Sequence, residues 1–229
     1  IKDWLNSFLS LLFPHCCVVC GRPLAKGEEC LCIMCNINLP RTNYHLWKDN
    51  PVERLFWGQI PLERATSFFF YRKGSDFRQI LHQLKYGGKK EVGIIMGRYM
   101  AAELSDSGFF EGVDVIIPIP LHKKKQQIRG YNQSECIARG IAAVTGITVC
   151  VESVVRRKNT ETQTRKSVFE RWENVDGIFE LNHADSLTGK HILIVDDVLT
   201  TGATTIACAS RLAEVEGTRT SVLTLAMAD

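Results

Sequence analysis

Ile192-Leu193-Ile194-Val195-Asp196-Asp197-Val198-Leu199-Thr200-Thr201-Gly202-Ala203-Thr204-Thr205 is the stretch whose reading decides the fold. Its first four residues are apolar and mostly β-branched, which predicts a strand buried on both faces; in an α/β protein that means parallel pairing. Two carboxylates are expected where that strand ends. Hydroxyl residues around Gly202 follow, and then Ile206, Ala209, Leu212 and Ala213 recur at helical spacing, with Gly217 read as the end of the helix.

This unit suits the capture of a sugar phosphate. Gly202 lets the backbone approach an anion closely, and the loop N–H groups, the Thr hydroxyls and the positive end of the next helix all favour a phosphate monoester. Asp196 and Asp197, at the far end of a ribose-sized ligand, can accept from two ribose hydroxyls or lie near the Mg²⁺ that a polyphosphorylated ligand brings.

The stretch resembles the phosphoribosyl-pyrophosphate (PRPP) loop of type I phosphoribosyltransferases. That likeness implies PRPP binding through Val198, Leu199, Thr200, Thr201, Gly202, Ala203 and Thr204. An apolar strand ending in two aspartates also opens phosphoacceptor receiver domains. There the pair starts the domain, whereas here 32 residues follow Asp197, too few for a domain of roughly a hundred residues.

At 229 residues the chain has room for one medium domain and a small appendage. A hydrophobic content of 45% and a charged content of 23% are ordinary for a globular protein and speak against disordered and fibrous classes. The net charge of +3 permits nucleic-acid contact without arguing for it, so local clusters carry the weight.

Cysteines dominate the N-terminal part. Six of the nine lie between residues 16 and 35, and Cys17-x-x-Cys20 and Cys32-x-x-Cys35 can place four thiolates around Zn²⁺, which predicts a small zinc-ribbon-like module. A disulfide scaffold is the weaker reading without a secretion signal, and the expected compartment is the cytoplasm. Cys16, Cys30 and His15 are set aside as flanking residues, and Cys136, Cys150 and Cys208 as inert core thiols. So few residues bury little apolar surface, so the metal would supply most of the module's folding energy.

Ahead of the cysteines, Trp4, Leu5, Phe8, Leu9 and Leu12 share one face of an amphipathic helix expected to pack on the protein. It is too short to cross a bilayer, and no transmembrane segment is expected elsewhere. The expected organisation is a helix and zinc-binding module over 1–45, a connecting segment over 46–64 in which Trp47, Phe56 and Trp57 pack inward, and a parallel-sheet α/β domain over 65–229.

In that domain Ala65 to Tyr71 is read as a strand. Ser75 is read as the cap of a helix carrying Phe77, Ile80, Leu81 and Leu84 to Gly87-Gly88, and a further helix is expected over Glu91 to Leu104. Val113 to Ile117 is a second buried strand. It leads into a basic loop, His122-Lys123-Lys124-Lys125 through Arg129-Gly130-Tyr131-Asn132-Gln133, and Asn132 with Glu135 predicts a helix start at its end. The loop should face the acidic pair across a crevice and hold pyrophosphate, with Arg129 its foremost cation. Each of the three lysines reads equally well as solvated. Arg156 and Arg157 follow a third strand, and the polar stretch beyond them, through Gln163 and Arg171 to a strand at Gly177 to Leu181, is expected to be a lid that excludes water and steadies departing pyrophosphate.

Over nearly its whole length the chain resembles the ComF family. The residues that carry the likeness are Pro14-x-x-Cys17-x-x-Cys20-Gly21, Leu31-Cys32-x-x-Cys35, Leu84-Lys85-Tyr86-Gly87, Pro118-Ile119-Pro120-Leu121, Arg129-Gly130-Tyr131-Asn132-Gln133, Arg157 with Thr162-x-x-Arg165, Arg171-x-x-Asn174-Val175 and the PRPP-type loop. The resemblance implies an N-terminal zinc module, a type I phosphoribosyltransferase-like domain, and a link to DNA uptake or to use of external DNA. It leaves two classes open. One is a Mg²⁺-dependent phosphoribosyl transfer enzyme with Asp196, Asp197 and Arg129 at its centre; the other is a non-catalytic factor that senses PRPP or a nucleotide and holds single-stranded DNA on its basic loops, beside the DNA-uptake machinery.

Overall fold

A computed structural model describes residues 15–157 and 177–228. In chain order its elements are α1 (Ile33–Ile37), α2 (Pro51–Arg54), β1 (Arg64–Tyr71), α3 (Arg78–Tyr86), α4 (Lys90–Ser105), β2 (Val115–Pro118), α5 (Lys123–Arg129), α6 (Gln133–Thr145), β3 (Thr148–Val149), β4 (Val154–Arg156), β5 (Phe179–Leu181), β6 (His191–Leu199), α7 (Ala203–Leu212) and β7 (Arg219–Ala228). Five strands form one parallel sheet in the order β1-β7-β6-β2-β3.

The apolar run at Ile192–Val195 is the centre of this sheet, and alternate residues face opposite cores. Leu193 and Val195 join Met96, Met100 and Leu104 of α4 and Ile137 and Ile141 of α6. Ile192 and Ile194 join Ile206, Ala209 and Leu212 of α7, with Val52 and Phe56 from the connecting segment. Both faces of the strand are therefore covered, as a continuous apolar run requires.

Several element boundaries differ from the sequence reading. β6 does not end before Asp196 but runs to Leu199, because β7 continues to pair with it as far as Met227. β2 stops earlier, opposite Val195, where Ile119 N–H donates the last rung to the Val195 carbonyl before Pro120 intervenes. A crevice thus opens on one side of β6 where the acids stand. α7 ends at Leu212, short of Gly217; buried Val215 lies in the turn beyond, and the Thr218 hydroxyl donates to the Leu212 carbonyl at 2.9 Å. α3 begins at Arg78 because the Ser75 hydroxyl accepts from Phe77 N–H and forms a turn before the helix.

The basic stretch is a helix, not a loop. Lys, Gln and Arg are good helix formers; His122 Nδ1 accepts from Lys124 N–H at its start, and Gly130, at φ 81°, ends it by donating to the Gln126 carbonyl. The strand expected before Arg156 is not part of the parallel sheet. Val154–Arg156 pairs antiparallel with Phe179–Leu181 as a separate ribbon, and the fifth strand of the main sheet is the two-residue β3. Phe56 is buried, but Trp47 and Trp57 are exposed, correcting their assignment as packing residues.

One close crossing, and the packing of the cysteine module, fix α4 and α6. α4 and α6 touch backbone to backbone: a Cβ on Gly140 would fall on the Ile94 carbonyl oxygen, one on Gly97 on that of Ile137, and one on Gly93 would meet the Cys136 Cβ. The cysteine module packs on the outer side of α4. Cys17, Cys30, Leu31 and Leu39 belong to the same core as Met96, and Arg41–Glu103 and Arg98–Glu29 ion pairs, at 2.6 and 2.7 Å, tie its rim to the helix. The amphipathic helix expected over residues 1–13 lies outside the described residues.

Candidate sugar-phosphate site and cysteine cluster

The turn after β6 has the shape needed for an anion. Gly202 takes φ 76°, a conformation that costs L-residues energy, and a Cβ there would press on the buried Phe56 ring at 3.3 Å. Thr200 and Thr201 are exposed, Ala203 and Thr204 half-buried, and no side chain caps α7. The N–H groups of its first turn therefore point outward from a helix start that favours negative charge. Val198 and Leu199 sit in the two cores instead, so of this stretch they supply backbone alone.

Asp196 and Asp197 stand beside the turn and are held differently. Asp196 Oδ1 accepts from Ser134 Oγ at 2.9 Å and from the Asp197 N–H at 2.8 Å. Burial first, and the charge of Asp197 second, push its carboxyl up to about 7. Asp197 Oδ2 lies 3.1 Å from the Lys85 ammonium, and both side chains are largely shielded from water. Arg156, at the end of β4, lies over the Phe179 ring; burial lowers its pKa, and the Asp196 charge opposes that shift.

Lys85 is delivered by the last turn of α3, which is locked to the segment between α5 and α6. The Tyr131 hydroxyl donates to the Leu84 carbonyl at 2.6 Å, and the Arg129 guanidinium lies 5.5 Å from the Tyr86 ring centroid. Arg129 also donates to Gln133 Oε1 at 2.9 Å, leaving the Gln133 Nε2 a buried donor with no partner among the described residues. Asn132 Nδ2 donates to the Ile119 carbonyl while its Oδ1 caps α6 by accepting from Ser134 N–H. The Leu-Lys-Tyr and Arg-Gly-Tyr-Asn-Gln segments, distant in sequence, thus form one block that presents Lys85 and Ser134 to the acids.

In the N-terminal module the Sγ atoms of Cys17, Cys20, Cys32 and Cys35 all lie within 4.8 Å of one another. Cys20 and Cys32 are 3.7 Å apart, close to the edge of roughly 3.8 Å that a tetrahedron with Zn–S bonds of about 2.3 Å requires, and far from a disulfide length. Hydrogen bonds from Arg22 lower the Cys20 thiol to about 6, favouring the thiolate that a metal takes. Cys30 is buried, its Sγ 3.9 Å from Met96 Sδ, and Cys16 is exposed; neither joins the cluster. The four sulfurs form a cluster able to hold a metal ion.

Residues 131–228 match the family described as phosphoribosyl transferase domain. The chain is 29% identical over 217 residues to the DNA utilization protein YhgH of Shigella flexneri, covering 88% of this chain and 92% of that protein. It is 26% identical over 203 residues to Competence protein ComFC of Bacillus subtilis, covering 87% and 72%, and 34% identical over 92 residues to Competence protein F of Haemophilus influenzae, covering 40% of each. These relatives support the resemblance to the ComF family. The chain's parallel sheet is that of the type I phosphoribosyltransferase-like fold.

In this chain the expected site residues are gathered unevenly. Asp196 and Asp197 stand beside the turn; Arg156 lies over Phe179 and feels the Asp196 charge, and Arg129 stacks on Tyr86, the chain neighbour of Lys85. His122 and Lys123 lie on α5, where His122 is used as the helix cap and Lys123 is exposed. Arg157 is paired across the ribbon with Glu180 at 2.5 Å. Gln163 and Arg171 lie outside the described residues. Lys85 and Ser134 were not singled out from sequence as site residues. Their signal was present in the Leu84-Lys85-Tyr86-Gly87 segment and in the helix start after Asn132, but not their meeting at the acids. Among the described residues no helix is long and apolar enough to cross a membrane.

Proposed function

We propose that this chain binds PRPP, as its Mg²⁺ complex, in the crevice beside β6, and that it works in the uptake or use of external DNA in the cytoplasm. The observation that supports it best is the meeting of an uncapped helix start and a Thr/Gly turn with two carboxylates where β2 leaves the sheet, the place where open α/β sheets bind ligands. Asp196 and Asp197 accept from the two ribose hydroxyls. The N–H groups and hydroxyls of Thr200 through Thr204 hold the 5′-phosphate. Arg129, with His122 and Lys123 on the helix beside it, faces the diphosphate; Arg156 and Arg157 stand at the mouth on the ribbon, and Asn132 and Gln133 position the others. Bound Mg²⁺ would neutralise the diphosphate between the acids and these cations.

Zn²⁺ is the metal this reading places in the four-cysteine cluster, as a structural ion that holds the module against α4. The names of the relatives carry the link to DNA: one is a DNA utilization protein and two are competence proteins. The exposed lysines of α5, with Tyr86 and Ile128 70% and 85% exposed beside them, favour a second reading in which the same face holds single-stranded DNA.

Titration calorimetry of Mg²⁺-PRPP against the wild type and Asp197→Asn tests the site, with zinc content measured in both. Saturable binding weakened roughly tenfold or more by the substitution is expected, because a hydrogen bond to a charged group contributes about 1.5–3 kcal/mol. No binding by the folded wild type would refute it. Release of pyrophosphate in the presence of an acceptor would assign catalysis, and steep salt dependence of single-strand binding the second reading.

A further inference from the structure

The Lys85–Asp197 pair sets a condition on what can enter the site. Lys85 is 24% and Asp197 15% exposed, so each charge is largely removed from water and relies on the other. Two ribose hydroxyls that dock on Asp197 compete with the ammonium for its oxygens, and hydroxyls are neutral donors that give the ammonium nothing in return. A shielded cation left without an anion is costly. The cost disappears if the ligand carries its own anion within reach of the released ammonium. The lysine stem can swing to such an anion, because its ammonium has three rotatable donors on four flexible carbons. The turn that carries Lys85 cannot follow it, since Tyr131 holds the Leu84 carbonyl and Gly87 closes the helix. Arg129, stacked on the next residue of that turn, marks where the anion would lie.

We propose that Lys85 is the specificity-determining residue of this site, exchanging Asp197 for the anionic group on the anomeric carbon of the ligand when the ribose hydroxyls dock. This rests on the sugar-phosphate reading above. The site then prefers a ribose 5-phosphate bearing a 1-diphosphate to ribose 5-phosphate itself, and the preference comes from a swap of ion-pair partners. Asp196, held by Ser134 and faced by Arg156, takes no part in the exchange.

The test compares the affinities of PRPP and ribose 5-phosphate, both with Mg²⁺, for the zinc-loaded full chain as wild type, Lys85→Met, Lys85→Gln and Lys85→Arg. The two neutral variants are expected to lose the preference for PRPP by about ten- to a hundredfold, with ribose 5-phosphate bound as tightly as before or more so. Lys85→Arg is expected to keep the preference. A merely structural role would weaken both ligands together and lower Tm, and that result overturns the proposal, as does a preference that survives in the neutral variants. Wild type that binds PRPP and ribose 5-phosphate equally overturns it while leaving the site reading intact; wild type that binds neither overturns both. If Lys85→Met does not fold, Lys85→Gln and Lys85→Arg decide the comparison.

Discussion

Gly140→Ala should destabilise this protein, although in an exposed helix the same change would do the opposite. Alanine is favoured over glycine in a helix interior by about 1 kcal/mol. At Gly140 the new Cβ would fall on the Ile94 carbonyl oxygen and within 3.0 Å of the Arg98 nitrogen, both backbone atoms of α4. Neither can turn aside as a side-chain tip can, so the two helices must part by roughly an ångström, and overpacking of this kind costs about 1–3 kcal/mol or more. Parting them also opens the contacts of Gly97 with Ile137 and of Gly93 with Cys136, so the upper part of that range applies. The net loss is about 1–2 kcal/mol, or roughly 2–8 °C in Tm for a chain of this size. Thermal and urea unfolding of the metal-loaded chain, followed by far-ultraviolet circular dichroism, measures it. An unchanged or raised Tm with an unchanged urea slope would show that propensity governs the crossing and would refute the argument.

Asp196→Asn should stabilise the ligand-free protein by about 1–2 kcal/mol at pH 8 and leave it unchanged at pH 4. The raised carboxyl keeps its proton in the folded chain and loses it in the unfolded one between about pH 4 and 7, so stability falls as pH rises through that window. Paired melts at the two pH values check this, and PRPP binding should be lost in the same variant. His191 acts in the opposite sense: its Nδ1–H donates to the Gly112 carbonyl, Nε2 accepts from Ser221, and burial lowers its pKa. Stability should therefore drop as pH falls below about 6.5, and His191→Gln should flatten that part of a melt-versus-pH curve. Tyr131→Phe frees the Leu84 carbonyl and should cost about 1 kcal/mol in urea unfolding. Removing metal with a chelator, or Cys32→Ser, should lower Tm and increase proteolysis near Leu31 and Leu39, which share a core with α4.

What could be read from the sequence was what is local. Four apolar residues before two acids specify a buried strand and its end chemistry without reference to anything else, and the two Cys-x-x-Cys pairs carry their own geometry. The misjudged boundaries were those set by a neighbour. β6 is longer than its apolar run because β7 goes on pairing with it, and the lysine-rich segment is helical because its propensity and its two caps outweigh the repulsion of like charges. Lys85 meets Asp197, and Gly140 meets Ile94, through contacts between elements far apart in the chain, and nothing in a single segment marks them. Trp47 and Trp57 were misplaced for a related reason: an aromatic residue in an irregular segment has no period from which to read its face.

The early stop of β2 leaves an interior strand behaving, for its last residues, as an edge. Beyond Val195 the next β6 donor on that side is the N–H of Asp197, and where a partner strand's carbonyl would stand it finds the carboxylate of Asp196. The ladder is terminated by its own side chain. A sugar entering here would fill a vacant lane in the sheet, its hydroxyls standing where peptide groups would have been, which lets a fully packed α/β core hold a ligand without hollowing out any of its interior.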